Sequence, residues 1–162
     1  PAITRDKVWI SLNLNAGLLM DLQSLQESGA DGVGLYRTEI PFMVRSEFPG
    51  VEAQTERYAN ALDQAAGKTV RFRTLDIGGD KQLPCFRKCI DQNPAMGWGS
   101  IRVDLDRRGM LRQQLRAMIL AVAGRELSVM FPMIAEVAEF EAAKHLLDIE
   151  LARALEAAAN AG

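Results

Sequence analysis

The residues most able to do chemistry in this chain are arginines placed where short apolar runs end. Arg71-Phe72-Arg73-Thr74-Leu75-Asp76-Ile77-Gly78-Gly79-Asp80-Lys81 begins as a strand, sets Arg73 near its end, and turns through two glycines flanked by charge. Gly32-Val33-Gly34-Leu35-Tyr36-Arg37-Thr38-Glu39 repeats the plan. A guanidinium is a planar fork that matches phosphate or carboxylate oxygens in pairs, so arginines delivered to one end of a sheet would make an anion site. Residues two apart on a strand share a face. Glu39 would therefore sit beside Arg37, and Asp104 beside Arg102 if Ser100–Leu105 is a strand. The plainer alternative is a set of exposed strand-end salt bridges, which contribute little. Gly78-Gly79-Asp80-Lys81 could wrap a phosphate with backbone N–H groups and a lysine charge. It is not a Walker loop, and Gly32-x-Gly34 is not a dinucleotide fingerprint, because it opens a strand instead of following one.

The elements that must carry these residues alternate between short β runs and longer helical ones. Strands are expected at 8–14, 32–37, 69–75, 100–105 and 127–134. Helices are expected at 18–28, 52–66, 109–123 and 136–159, with Gly29, Gly67 and Gly124 just past the first three. The last helix places Phe140, Ala143, Leu147 and Leu151 on one face. Five strands alternating with helices predict an α/β fold with a parallel sheet, and a doubly wound sheet and a (β/α) barrel both fit. In either, ligands bind at the carboxyl ends of strands, where Arg37, Arg73 and Arg102 would fall. The segment from Asp76 to Gly99 is longer than ordinary connections, and long loops are more often functional than idle.

Composition narrows the function classes. The chain has 162 residues, is 48% hydrophobic and 25% charged, and carries a net charge of -2. That suits one globular domain and gives no basic field for nucleic acid. No apolar run reaches the roughly 18 residues of a membrane span, and the polar start Pro1-Ala2-Ile3-Thr4-Arg5-Asp6-Lys7 is not a signal peptide. Cys85 and Cys89 lie four apart with no completing ligands, so free thiols in a cytoplasmic protein are expected, with no metal site. His145, the only histidine, lies off the apolar stripe of the last helix and reads as a solvated side chain. Met130-Phe131-Pro132-Met133 reads as core packing at a strand end.

Together these segments resemble the C-terminal barrel of the PEP-utilising phosphotransferases, the family of enzyme I of the bacterial phosphotransferase system, pyruvate phosphate dikinase and PEP synthase. The likeness is nearest to enzyme I. It rests on Gly32–Glu39, on Arg73–Lys81, on Asn93-Pro94 with Gly97-Trp98 and Ile101-Arg102, and on Met130–Met133. Glu39-Ile40-Pro41-Phe42-Met43 looks like the nitrogen-regulatory paralogue more than the sugar-transport one. The resemblance implies a partial TIM barrel over residues 1–162, about five βα units of a PEP-binding (β/α)8 domain. Arg37, Arg73 and Asp76 would bind substrate, and Lys81 and Arg102 would both bind it and support the moving phosphoryl group. It further implies a parent that uses PEP and Mg²⁺ to phosphorylate a histidine on a swivelling domain and then a small HPr-like phosphocarrier.

The Mg²⁺ ligands, the swivelling domain and the cysteine that protonates enolpyruvate in the family have no counterpart in this sequence. Gly99 stands where the family usually has Arg. The isolated chain is therefore expected to be inactive and to self-associate, as a homodimer or otherwise, through open sheet edges. A non-catalytic interaction module on a half barrel and a pyruvate/PEP-type barrel lyase remain the other readings.

Overall fold

A computed structural model describes residues 2–43, 48–75 and 98–161, and the side chains of 43, 98–107 and 161 lie outside the description. In chain order the elements are β1 (Ala2–Ile3), β2 (Trp9–Ile10), β3 (Asn13–Ala16), a 3-10 turn (Leu19–Leu22), α1 (Gln23–Glu27), β4 (Gly32–Arg37), α2 (Ile40–Met43), α3 (Val51–Gln64), β5 (Val70–Arg73), α4 (Trp98–Val122), β6 (Ser128–Met130) and α5 (Val137–Ala161). Strands β3, β4, β5 and β6 form one parallel sheet in that order, and β1 pairs with β2 in a separate antiparallel hairpin. Sequence order equals spatial order, and each parallel strand is followed by helical structure, as in a run of βα units. This is an α/β architecture consistent with part of a barrel, and no closed barrel forms among the described residues.

Two expectations are corrected. The run Ser100–Leu105 is not a strand: its backbone is the beginning of helix α4. The described residues therefore hold four parallel strands and four βα units, and β5 pairs directly with β6. Ile101 and Leu105 are four apart, a spacing that suits a helix as well as strand alternation does, and the helix that carries Leu111, Leu115, Met118 and Val122 includes them. The run Val8–Leu14 is likewise not one buried strand. Trp9 and Ile10 fold onto Ile3 and Ala2 through a turn in which Lys7 has φ 67°, and Trp9 is 70% exposed. Only Asn13–Ala16 enters the main sheet.

The core lies on one face of that sheet. Tyr36 and Phe72, in register on β4 and β5, pack edge to face at 5.5 Å, and Tyr58 of α3 covers Phe72 at 5.2 Å. Leu22 and Leu25, Ala61 and Ala65, and Ala117, Met118 and Ala121 close the layer from the 3-10 turn, α1, α3 and α4. Small residues on α3 and α4 let these two helices approach each other and the aromatic strand residues closely. Gly32 and Gly34 belong to the same packing. A Cβ on Gly32 would stand 2.7 Å from the Thr69 carbonyl oxygen, and one on Gly34 2.9 Å from Asn13 Cβ. The glycines let three strands pass side by side.

Helices α4 and α5 are joined by an ion cluster. The Glu150 carboxylate is fully buried and accepts hydrogen bonds from Arg112 and Arg116 of α4, each at 2.8 Å, and from Arg153 at 3.1 Å. Burial opposes its charge, but Arg116 and Arg112 outweigh it and hold the carboxyl below its usual range. Of the predicted α5 stripe, Phe140, Leu147 and Leu151 line a groove of about 700 Å³ with Ile119 and Phe131, and Ala143 is not in its lining. His145 is exposed, as expected, whereas Met133 is 79% exposed at φ 57° and is not core.

Candidate functional site

Arg37 and Arg73 are the last residues of adjacent parallel strands and are paired in register. Strand alternation sends them to the face opposite Tyr36 and Phe72. Glu39, two residues beyond Arg37, turns back between them. Arg37 Nε donates to Glu39 Oε1 at 3.1 Å, and Arg73 Nη2 donates to the same oxygen. Glu39 is 3% exposed, the Arg73 side chain 15% and the Arg37 side chain 37%. The expected pairing of Arg37 with Glu39 is thus present. Its carboxylate also serves Arg73, which makes it more than an exposed strand-end salt bridge.

The polar atoms left over are informative. Two guanidiniums against one carboxylate leave one net positive charge at the strand ends. Among the described residues, Arg73 Nε and Glu39 Oε2 are buried without a hydrogen-bond partner. Buried donors are nearly always paired, so an orphaned guanidinium N–H marks a place where an acceptor belongs. The chemical capacity of this arrangement is binding of an oxyanion by a rigidly held donor pair.

A second, uncharged layer lies beneath the arginines. Thr38 and Gln114 are fully buried, and Gln114 of α4 connects four elements. Its Nε2 donates to Thr38 Oγ1 at 2.9 Å and to Tyr58 Oη at 3.1 Å, while its Oε1 accepts from the Leu75 N–H at 2.8 Å. Thr38 Oγ1 donates to the Arg73 carbonyl oxygen at 2.7 Å, and Tyr58 Oη donates to Gln54 Oε1 at 3.2 Å. Gln54 in turn donates to the Pro49 carbonyl at 2.8 Å. Burial pushes the Tyr58 hydroxyl far up, so it stays protonated and available as a donor.

The other anticipated site residues are placed differently. Asp76, Lys81, the Gly78-Gly79 turn, Cys85 and Cys89 lie outside the described residues. Arg102 is within helix α4 and not at a strand end, so the expected strand pairing with Asp104 is overturned; residues two apart on a helix do not share a face. Sequence reasoning missed Thr38, Tyr58 and Gln114. The repeat of Arg-Thr at 37–38 and 73–74 was a signal for the first. A polar Gln114 beside the Leu111–Leu115–Met118 stripe was a signal for the last.

The described residues do not fit a Mg²⁺ site. Glu39 is one carboxylate whose Oε1 is committed to two guanidiniums, whereas Mg²⁺ takes oxygen ligands in a near-octahedral shell. No group of three His, Cys, Asp or Glu gathers among the described residues. No helix among the described residues is long and apolar enough to cross a membrane.

Comparison with known proteins converges on one family. The family model of the PEP-utilising enzymes' PEP-binding domain matches residues 1–161. The chain is 43% identical over 148 residues to the phosphoenolpyruvate-protein phosphotransferase of Mycoplasma capricolum, covering 91% of this chain and 26% of that protein. It is 42% identical over 156 residues to that of Latilactobacillus sakei (96% and 27%) and 44% identical over 151 residues to that of Staphylococcus carnosus (93% and 26%). The chain spans about a quarter of the length of these curated relatives. With the fold, the paired arginines and this likeness together, the chain belongs to the PEP-binding domain family of the PEP-utilising enzymes.

Proposed function

We propose that this chain supplies the arginine half of the PEP site of a PEP-dependent protein-histidine phosphotransferase of the enzyme I type. The observation that carries the reading is the in-register pair Arg37–Arg73, clamped on Glu39 at the carboxyl ends of two parallel strands. The Arg37 side chain is 37% exposed and that of Arg73 15%, so both leave guanidinium surface for an incoming phosphate. Glu39 holds the two forks in place, so little side-chain freedom is lost on binding. Positive groups around a transferring phosphoryl stabilise its charge, the main protein contribution to such chemistry. Lys81, Arg102 and Asp76 complete the substrate contacts in this reading.

Mg²⁺, when bound, would neutralise phosphate charge; in this reading none of the substrate-binding residues named here is its ligand. The acceptor chain is a histidine followed by an HPr-like carrier, in the cytoplasm. β3 and β6 are the edges of the described sheet, and self-association through them is part of the same reading. The chain by itself does not turn PEP over, and measurable pyruvate release would contradict that.

The test is calorimetric titration of the chain with PEP, with and without Mg²⁺, beside Arg73→Ala. Binding that the substitution abolishes supports a preformed anion half-site. Absence of binding at millimolar PEP in the unsubstituted chain, or unchanged binding in Arg73→Ala, contradicts it.

A further inference from the structure

We propose that Thr38 is a positioning residue for the anion site, and that Gln114 sets the direction of its hydrogen bond. The inference rests on the reading of Arg73 as a phosphate-binding group and adds the device that aims it. Arg73 is the final residue of β5, where the chain leaves the strand and enters the following loop. Its carbonyl oxygen is caught by the Thr38 hydroxyl at 2.7 Å, from the strand that also delivers Arg37. The next-but-one N–H, Leu75, is caught by Gln114 Oε1 at 2.8 Å. Thr74 N–H between them donates to the Met130 carbonyl at 3.0 Å. The two successive peptide groups that follow Arg73 are therefore fixed from three different elements, and the Thr38 contact adds, just past the strand pairing, a tie between the Arg73 backbone and the segment that delivers Arg37.

The network has a single polarity. The Leu75 N–H must donate, so the Gln114 carbonyl oxygen faces it and the amide nitrogen faces the two hydroxyls. Both hydroxyls then accept from Gln114 and must send their own protons onward. Thr38 sends its proton to Arg73 and Tyr58 to Gln54. The Thr38 arm ends on the site, whereas the Tyr58 arm runs through Gln54 to the Pro49 carbonyl ahead of α3 and touches neither arginine. Each arm contains one buried hydroxyl, so deletion of either removes a similar structural contact and only one should disturb binding.

The experiment compares Thr38→Val, Thr38→Ser, Tyr58→Phe, Gln114→Glu and Arg73→Ala in the full chain. PEP dissociation constants are measured by calorimetry and stability by urea unfolding. Thr38→Val is expected to weaken PEP binding about tenfold, the loss of roughly one hydrogen bond's worth of positioning. Thr38→Ser, which keeps the hydroxyl, and Tyr58→Phe, which cuts the other arm, are expected to stay within about twofold. In Gln114→Glu the carboxylate accepts from both hydroxyls, draws the Thr38 proton away from Arg73, and weakens binding as Thr38→Val does.

Should Thr38→Val not fold, Gln114→Glu with Thr38→Ser carries the comparison. Equal losses in Thr38→Val and Tyr58→Phe, or unchanged binding in Thr38→Val while Arg73→Ala abolishes it, would overturn the positioning role alone. Unchanged binding in Arg73→Ala would overturn the phosphate reading beneath it.

Discussion

Replacing Glu39 by Gln keeps the shape of the clamp between the arginines and removes its charge. Two unit charges about 4 Å apart attract by about 4 kcal/mol at an effective dielectric near 20. Arg37 is 37% exposed and can turn to water, so its share is discounted to well under 1 kcal/mol, about the worth of a surface pair. Arg73, at 15% exposure, stays buried and carries most of the loss. The neutral amide is easier to bury than a carboxylate, which returns part of the difference and leaves a net cost of about 2–3 kcal/mol. For a domain of this size that is a fall of about 5–10 °C in Tm.

The same substitution leaves two facing guanidiniums with no carboxylate, so an added oxyanion should take its place. Thermal denaturation with and without phosphate reads both effects. The Tm of Glu39→Gln should start lower and rise more with phosphate than that of the unsubstituted chain. A phosphate concentration 100 times the dissociation constant restores about 2.7 kcal/mol. A variant that melts with the parent, or equal phosphate shifts in the two proteins, would refute the clamp.

Two further outcomes are expected. The Glu150 carboxyl is held below its ordinary range, so its contribution is fully present above that range and is lost as pH falls through the depressed value. Glu150→Gln should cost about 2 kcal/mol at pH 7, discounted from the buried-pair range because the three arginines are a third to a half exposed. Urea unfolding should show that gap closing below about pH 4, and a pH-independent gap would contradict it. Gly32→Ala should destabilise by about 1–3 kcal/mol in the same assay, because the added methyl meets backbone at 2.7 Å and cannot be relieved by a rotamer change; a neutral substitution would contradict the close strand passage.

Much of the parallel sheet was legible because its signals are local. The alternation of β runs with 3.6-period runs located β4, α3, β5 and α5 to within a few residues; the Arg37–Glu39 pair was anticipated, but it forms because Glu39 turns back beyond the end of β4 and not by strand alternation. What failed were short runs whose period is ambiguous. Ile101, Val103 and Leu105 alternate as a strand would, yet Ile101 and Leu105 also fit the helix that follows, and the longer periodic segment absorbed them. Val8 to Leu14 is apolar enough for a core strand, but its first half turns outward onto Ala2–Ile3, a pairing no periodicity encodes. The Gln114 network was illegible for another reason: its partners are separated by 39, 56 and 76 residues, and only the fold brings them together.

The claim at the centre of this account is that Arg37 and Arg73 act on one bound phosphate. A double-mutant cycle of PEP binding measures that directly, with Arg37→Ala, Arg73→Ala and the double variant titrated by calorimetry. Each single substitution is expected to lose about 1.5–3 kcal/mol, and the double variant to lose less than the sum by at least about 0.5 kcal/mol, since groups sharing one partner couple. Strictly additive losses, or binding indifferent to either arginine, would contradict it.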